Sequence, residues 1–175
     1  RVIQQWGQVD ILVNDAAAWV PKLFVETTPA DWKKEIDVCL YGVLNCTKAV
    51  IDHMIARKYG KIISIASDAG RAGEVRQPVY SAAKAGIMGF SKALAKEVGR
   101  YGINVNVVCP SMTETDPVKA SFEDDPSRKE KVLKFYPLRR LGKPEDIANT
   151  VTYLASDRAS WVTGQCWSVN GGYAI

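Results

Sequence analysis

The chain has 175 residues, 47% of them apolar and 24% charged, with a formal net charge of +4. These proportions fit one globular domain with a real core, and they exclude a disordered tail, a collagen-like chain and a disulfide-stapled miniprotein. Basic residues are interleaved with acids and form no block or aromatic stripe, which speaks against nucleic-acid binding, and no apolar run reaches the ~18 residues needed to span a bilayer.

The sequence opens with neither a methionine nor a secretory signal. Arg1 to Gly7 reads as the last turns of a helix with a glycine stop, so the chain is expected to begin inside an element. Val9 to Asn14 (VDILVN) is a short aliphatic run suited to a buried strand. Thr28-Pro29-Ala30-Asp31 carries an N-cap threonine, a proline at the first position and an acid in the first turn, and so predicts a helix start. Apolar residues at helical spacing continue from Trp32 to Met54. Lys61 to Ser67 (KIISIAS) predicts a second strand, Val79 to Arg100 an alanine-rich helix, and Ile103 to Cys109 (INVNVVC) a third strand. Residues 111–140 are polar and proline-containing, with a helical stretch near Arg128 to Phe135. Pro144-Glu145-Asp146 opens another helix ending near Ser156, and Gln165 to Asn170 is a last strand. Alternating strands and helices predict parallel strands joined by crossover helices. Only four strands are visible, and the first would leave an apolar sheet edge bare, so the fold is expected to be incomplete on its N-terminal side. The cysteines Cys39, Cys46, Cys109 and Cys166 make no C-x-x-C pair and His53 is the single histidine, so a zinc set is not expected. Free thiols in a reducing, cytoplasmic compartment are.

The sharpest local feature is Tyr80-Ser81-Ala82-Ala83-Lys84. Positions i and i+4 share one helix face. An ammonium ~5 Å from a phenol, at an effective dielectric of ~20, favours the phenolate by about 3 kcal/mol, or roughly two pK units. The expectation is a lowered Tyr80 pKa and a phenol ready for acid–base work. Ser67 ends the preceding strand, thirteen residues upstream. The carboxyl ends of parallel strands are where open α/β sheets bind ligands, and a serine there can reach the carbonyl oxygen that the tyrosine protonates.

With these residues the sequence resembles the short-chain dehydrogenase/reductase family, over essentially its whole length. Asn14-Asp15-Ala16-Ala17 resembles the family's Asn-Asn-Ala-Gly motif, and Ser67, Tyr80 and Lys84 match its catalytic serine and Tyr-x-x-x-Lys. Asn104 to Ser111 resembles the segment leading into its Pro-Gly. Arg140-Leu141-Gly142-Lys143-Pro144-Glu145-Asp146-Ile147-Ala148 and the tail Thr163-Gly164-Gln165 with Val169-Asn170-Gly171-Gly172 complete the match. The resemblance implies a single, partial Rossmann-like domain over 1–175. Its doubly wound parallel sheet would lack its N-terminal strands here, and 111–140 would form a substrate loop or lid. It implies an NAD- or NADP-dependent oxidoreductase interconverting a secondary alcohol and a ketone. Tyr80 would be the general acid or base, Lys84 would lower its pKa and hold the nicotinamide ribose, and Ser67 would orient the substrate oxygen. Cofactor contacts are implied at Asn14, Ala16, Tyr80, Lys84, Pro110, Thr113 and Thr115.

Three departures stand out. The Gly-rich dinucleotide turn and the residue that selects NAD or NADP are not in this sequence. Cys39 stands where many members carry an active-site asparagine, with either a catalytic relay role or plain core packing. Asp15, Ala17 and Ser111 replace a motif asparagine and two glycines. The substrate wall is expected from Asp68 to Gln77, Trp19 and 111–140. Arg71, Arg76, Arg139 and Arg140 read either as a trap for a carboxylate or coenzyme A phosphate or as surface charge, so a simple ketone and a hydroxyacyl thioester both stay open. The helices Asp31 to Arg57 and Val79 to Gly99 are apolar on more than one face, which implies a homodimer or homotetramer. The alternative is a truncated, non-catalytic remnant that keeps an oligomerising role.

Overall fold

The computed structural model describes residues 1–123 and 125–174. Its sheet has four parallel strands in the order β1 (Ile11–Asn14), β2 (Gly60–Ile65), β3 (Ile103–Pro110), β4 (Cys166–Val169). Each predicted strand is present, with ends moved by up to two residues. Ala66 and Ser67 fall outside β2, although the Ala66 N–H still donates to the Val108 carbonyl at 2.8 Å. The predicted glycine stop is also there. Helix α1 (Val2–Trp6) ends on Gly7 at φ 79°, whose N–H closes on the Ile3 carbonyl.

The first crossover is α2 (Pro29–Ile36) followed by α3 (Gly42–Arg57). Helix α2 starts as its sequence dictates: the Asp31 N–H donates to the Thr28 hydroxyl, and the Thr28 N–H donates to the Asp31 carboxylate at 2.9 Å. The continuous helix expected through Met54 is interrupted, because Asp37–Tyr41 forms a π turn closed by the Gly42 N–H on the Asp37 carbonyl. Hydrophobic spacing does not register one extra residue in a turn, so nothing in the sequence announces it. The second crossover is α4 (Ala69–Ala72) and α5 (Pro78–Val98), and a 3-10 turn at Gly99–Tyr101 takes the end expected of the helix. The third holds α6 (Asp116–Ala120), α7 (Pro126–Leu133) and α8 (Pro144–Ala155).

Helices α3 and α5 cover one face of the sheet. Val43, Ile51, Met54, Ile87, Met88, Ala95 and Val98 pack there on Ile62, Val105, Val107 and Cys109. Helix α8 covers the other face, Leu154 lying against Ile63 and Val108. Both faces are buried, which is why β2 and β3 read as unbroken aliphatic runs rather than alternating ones. Each fully buried Ile or Val contributes about 1.5–3 kcal/mol. Strand β1 pairs only with β2 among the described residues, and its Ile11 and Val13 are 45% and 42% exposed.

The two asparagines of β3 have a structural reason. Asn106, 1% exposed, donates to the Val162 carbonyl at 2.8 Å and accepts from the Gln165 N–H at 3.1 Å. Asn104 accepts from the buried Lys61 ammonium at 2.7 Å and donates to Ser160 and Val162. They hold the chain entering β4. Asn106→Ala strands a buried carbonyl and a buried N–H, so urea unfolding is expected to show a loss of about 2–4 kcal/mol.

Candidate active site

The carboxyl ends of β1, β2 and β3 meet at one edge of the sheet. Past β2 the chain keeps company with β3 through the Asp68 N–H on the Pro110 carbonyl at 2.9 Å. This sets Ser67 at the edge, where its hydroxyl accepts the Ala69 N–H at 3.1 Å as α4 begins. Pro78 opens α5 with its φ preset for a helix, which fixes Tyr80 in the first turn and Lys84 one turn on. Lys84 is 1% exposed, and its Nζ donates to the carbonyl of Ile65, the last residue of β2, at 2.6 Å. Nζ also lies 5.5 Å from the centre of the Tyr80 ring.

The electrostatics reverse one expectation from sequence. The Tyr80 phenol is not lowered; its pKa is pushed up to about 12, first by burial, then by the nearby Cys39, with a smaller contribution from Glu35. The Ser67 hydroxyl pulls the other way but does not win. Burial likewise pushes the Lys84 ammonium down. The sequence argument assumed a phenol and an ammonium facing each other through a screening medium. In the fold the ammonium is committed to Ile65 and the phenol is withdrawn from water, so desolvation decides the sign. The Tyr80 phenol is therefore neutral at physiological pH. Ultraviolet difference titration of the parent against Tyr80→Phe is expected to show no Tyr80 ionisation below pH 10, and a transition near pH 8 would contradict the assignment.

Cys39 sits in the π turn, fully buried. Its Sγ donates to the Ala18 carbonyl at 3.2 Å and accepts the Ala18 N–H at 3.4 Å. The thiol's hydrogen-bonding capacity is thus spent on the loop after β1. Asn14, at the end of β1, donates to the Ser64 hydroxyl across the strand pair at 3.2 Å, while Ala16 is exposed beside it. Pro110 ends β3 at the same edge. Thr113 and Thr115 lie on the chain leaving β3 and bond within it: Thr113 Oγ1 donates to the Ser111 carbonyl at 3.1 Å and the Thr115 N–H to the Thr113 carbonyl at 2.7 Å. The structure thus groups Ser67, Tyr80, Lys84 and Cys39 closely, and sets the two threonines on the chain beyond the end of β3.

One contact escaped sequence reasoning. The Tyr136 hydroxyl bonds the Ser111 hydroxyl at 2.6 Å and accepts the Met112 N–H at 3.2 Å. With Phe122 and Leu141 it gives the 111–140 segment an apolar cluster of its own. Ser111, which stands where the resemblance implies a glycine, is thus one half of a part-buried clasp. Asp68, the first residue of the expected substrate wall, is 2% exposed and faces Arg71 and Ser168, and its burial raises its pKa. The four arginines read either as an anion trap or as surface charge are each engaged within the protein: Arg71 with Ser168 and the Ala174 carbonyl, Arg76 with the Pro21 carbonyl, Arg139 with the Lys134 carbonyl, Arg140 with Asp146. The Asp146 carboxyl is held down to about 2 by Arg140.

Comparison with known proteins fits this geometry. A family model described as enoyl-(acyl carrier protein) reductase matches residues 1–174. The chain is 41% identical over 172 residues to the 3-oxoacyl-(acyl-carrier-protein) reductase FabG of Escherichia coli, covering 98% of this chain and 69% of that protein. It is equally similar, 41% over 172 residues with the same coverage, to the acetoacetyl-CoA reductase of Cupriavidus necator. A solved oxidoreductase of the short-chain dehydrogenase/reductase family from Burkholderia thailandensis superposes with a TM-score of 0.91 at 35% identity, over 98% of this chain and 66% of that one. The structure of ElxO with NADP bound gives 0.94 at 28% identity, over 98% and 70%. The chain belongs to the short-chain dehydrogenase/reductase family and spans about two thirds of the length of these relatives.

Proposed function

We propose that the protein is a reductase of 3-oxoacyl thioesters in which Tyr80 protonates the carbonyl oxygen. The observation that carries this reading is geometric: the half-buried Tyr80 phenol, neutral at pH 7, stands beside the Ser67 hydroxyl at the sheet edge, with the buried Lys84 ammonium one helical turn on and 5.5 Å from its ring centre. The Ser67 hydroxyl orients the same oxygen and stabilises the charge that grows on it. Lys84 has three N–H donors, of which Ile65 uses one, leaving two for ribose hydroxyls.

The residues fit the nicotinamide-ribose end of NAD or NADP: a buried ammonium, a phenol, the exposed Ala16 and the chain from Pro110 to Thr115 lie at the carboxyl ends of the strands. The hydride for the carbonyl carbon is what that cofactor supplies when bound. Lys84 and Tyr80 would hold its ribose, Asn14 would keep β1 in place beside it, and Thr113 and Thr115 would face its carboxamide. The 111–140 segment, with its own apolar cluster, would close over the substrate as a unit. The thioester class is supported by two similar proteins, whose names specify 3-oxoacyl and acetoacetyl groups. A soluble, cytoplasmic homo-oligomer fits the free thiols and the two helices α3 and α5.

The test is a turnover panel with NADH and NADPH. Acetoacetyl-CoA is expected to be reduced, and simple secondary ketones at least ten times more slowly by kcat/KM, because the thioester arm adds binding energy. Reduction of the ketones with the thioester ignored overturns the substrate class.

A further inference from the structure

Glu35 is a carboxylate in an unexpected place. It is 2% exposed, on the last turn of α2, where helix amphipathicity alone would put an apolar side chain. A buried carboxylate is costly unless hydrogen bonds compensate it. Its Oε1 accepts the Val20 N–H at 2.7 Å. Four residues on, the Cys39 thiol takes both the N–H and the carbonyl of Ala18. Between those anchors stands Trp19, 51% exposed. The far side of the loop is tied as well: Arg76, at φ 66°, donates to the Pro21 carbonyl at 3.1 Å from the segment that runs into Tyr80. Three polar ties thus fix the backbone around a large aromatic side chain that remains half in water. Helix α2 and the π turn, which carry the two anchoring side chains, both pack against α5, the helix of Tyr80, so the clamped loop borders the reacting edge. A rigid aromatic surface at the rim of a polar site is what an apolar substrate arm packs against.

We propose that Glu35 is a positioning residue, which together with Cys39 holds Trp19 as the wall that receives the acyl arm of the substrate. This rests on the thioester reductase reading. It adds to that reading a specificity element made by an acid and a thiol that touch no substrate.

The experiment compares Glu35→Ala, Glu35→Gln, Trp19→Ala and the Glu35→Ala/Trp19→Ala double variant in the otherwise intact protein, with acetoacetyl-CoA and NADPH. Glu35→Ala and Trp19→Ala are each expected to raise KM about ten-fold while kcat moves less than about three-fold, the pattern of lost binding rather than lost chemistry. The double variant is expected to be no worse than either single one, because both remove the same wall. Glu35→Gln, whose amide oxygen can accept the same N–H, is expected to restore KM. A second readout needs no turnover. The emission of Trp19, taken as the difference from Trp19→Phe, is expected to move to the red in Glu35→Ala and not in Glu35→Gln. Additive KM effects, a loss confined to kcat, or an unmoved Trp19 emission each overturn the proposal. If the parent protein turns over no thioester, the function reading fails, and the emission arm still decides whether the clamp exists.

Discussion

Tyr80→Phe is expected to slow turnover by about 10²–10⁴-fold, the range a positioned proton donor contributes. The ring and its packing survive the change. Lys84 keeps its bond to Ile65 and its place 5.5 Å from the ring centre, so one of the two proposed ribose contacts survives and cofactor affinity should fall far less than the rate. Only the hydroxyl is removed, and with it the proton delivered to the substrate oxygen. A variant that kept more than a tenth of the parent rate would shift the acid role to Ser67. The same substitution has a sign in alkali. The folded phenol sits at about 12 against an ordinary value of 10.0, so its contribution to stability is fully present below pH 10 and is lost as pH rises through about 12. Tyr80→Phe has no such loss, and its alkaline unfolding midpoint should lie above the parent's.

Gly70→Ala is expected to do comparable damage by a different route. Helix α4 crosses α5 so closely that a Cβ on Gly70 would stand 2.7 Å from the Ala85 nitrogen and from the Lys84 carbonyl carbon, and 3.0 Å from the Lys84 Cβ. These atoms are mostly backbone and cannot rotate aside. Overpacking of a core costs about 1–3 kcal/mol when side chains can adjust, so this contact, where they cannot, is expected at the top of that range or above it. The two helices must separate, and Lys84 lies on the one that moves. Urea unfolding should show the destabilisation. Turnover measured at a denaturant concentration where the variant is still folded should show a further loss from the displaced ammonium. A variant with parent stability and parent rate would contradict the close approach.

Much of this arrangement could be read before any coordinates. Aliphatic runs mark β2 and β3 because a parallel sheet covered on both faces leaves them no polar side. The cap at Thr28 and Asp31 and the start at Pro78 are local chemistry, written within four residues of each helix end. The Tyr80–Lys84 pairing follows from helical period alone. What was not legible depends on burial or on distant partners. The sign of the Tyr80 shift turns on how much water the fold removes, and an i, i+4 spacing carries no information about that. The destination of the Lys84 ammonium is a carbonyl nineteen residues earlier. The Ser111–Tyr136 clasp joins positions twenty-five residues apart, and Glu35 sits in a run of charged residues, Lys33, Lys34 and Asp37, that reads as solvated surface.

The π turn at Asp37–Tyr41 has a consequence for the helix beyond it. One residue more than an α-helix would use is spent there, and each residue of an α-helix turns its successors by about 100°. Every side chain of α3 is therefore phased by that extra residue. Val43, Thr47, Ile51 and Met54 are buried because of it. Delete a single residue from the turn and the helix could relax to ordinary pitch, but the same four side chains would swing through about 100° toward solvent. Cys39 would leave Ala18 in the same motion. The turn works as a gear tooth that meshes the loop bordering Tyr80 with the packing of a 16-residue helix beyond it, so the chain cannot lose that tooth without losing both.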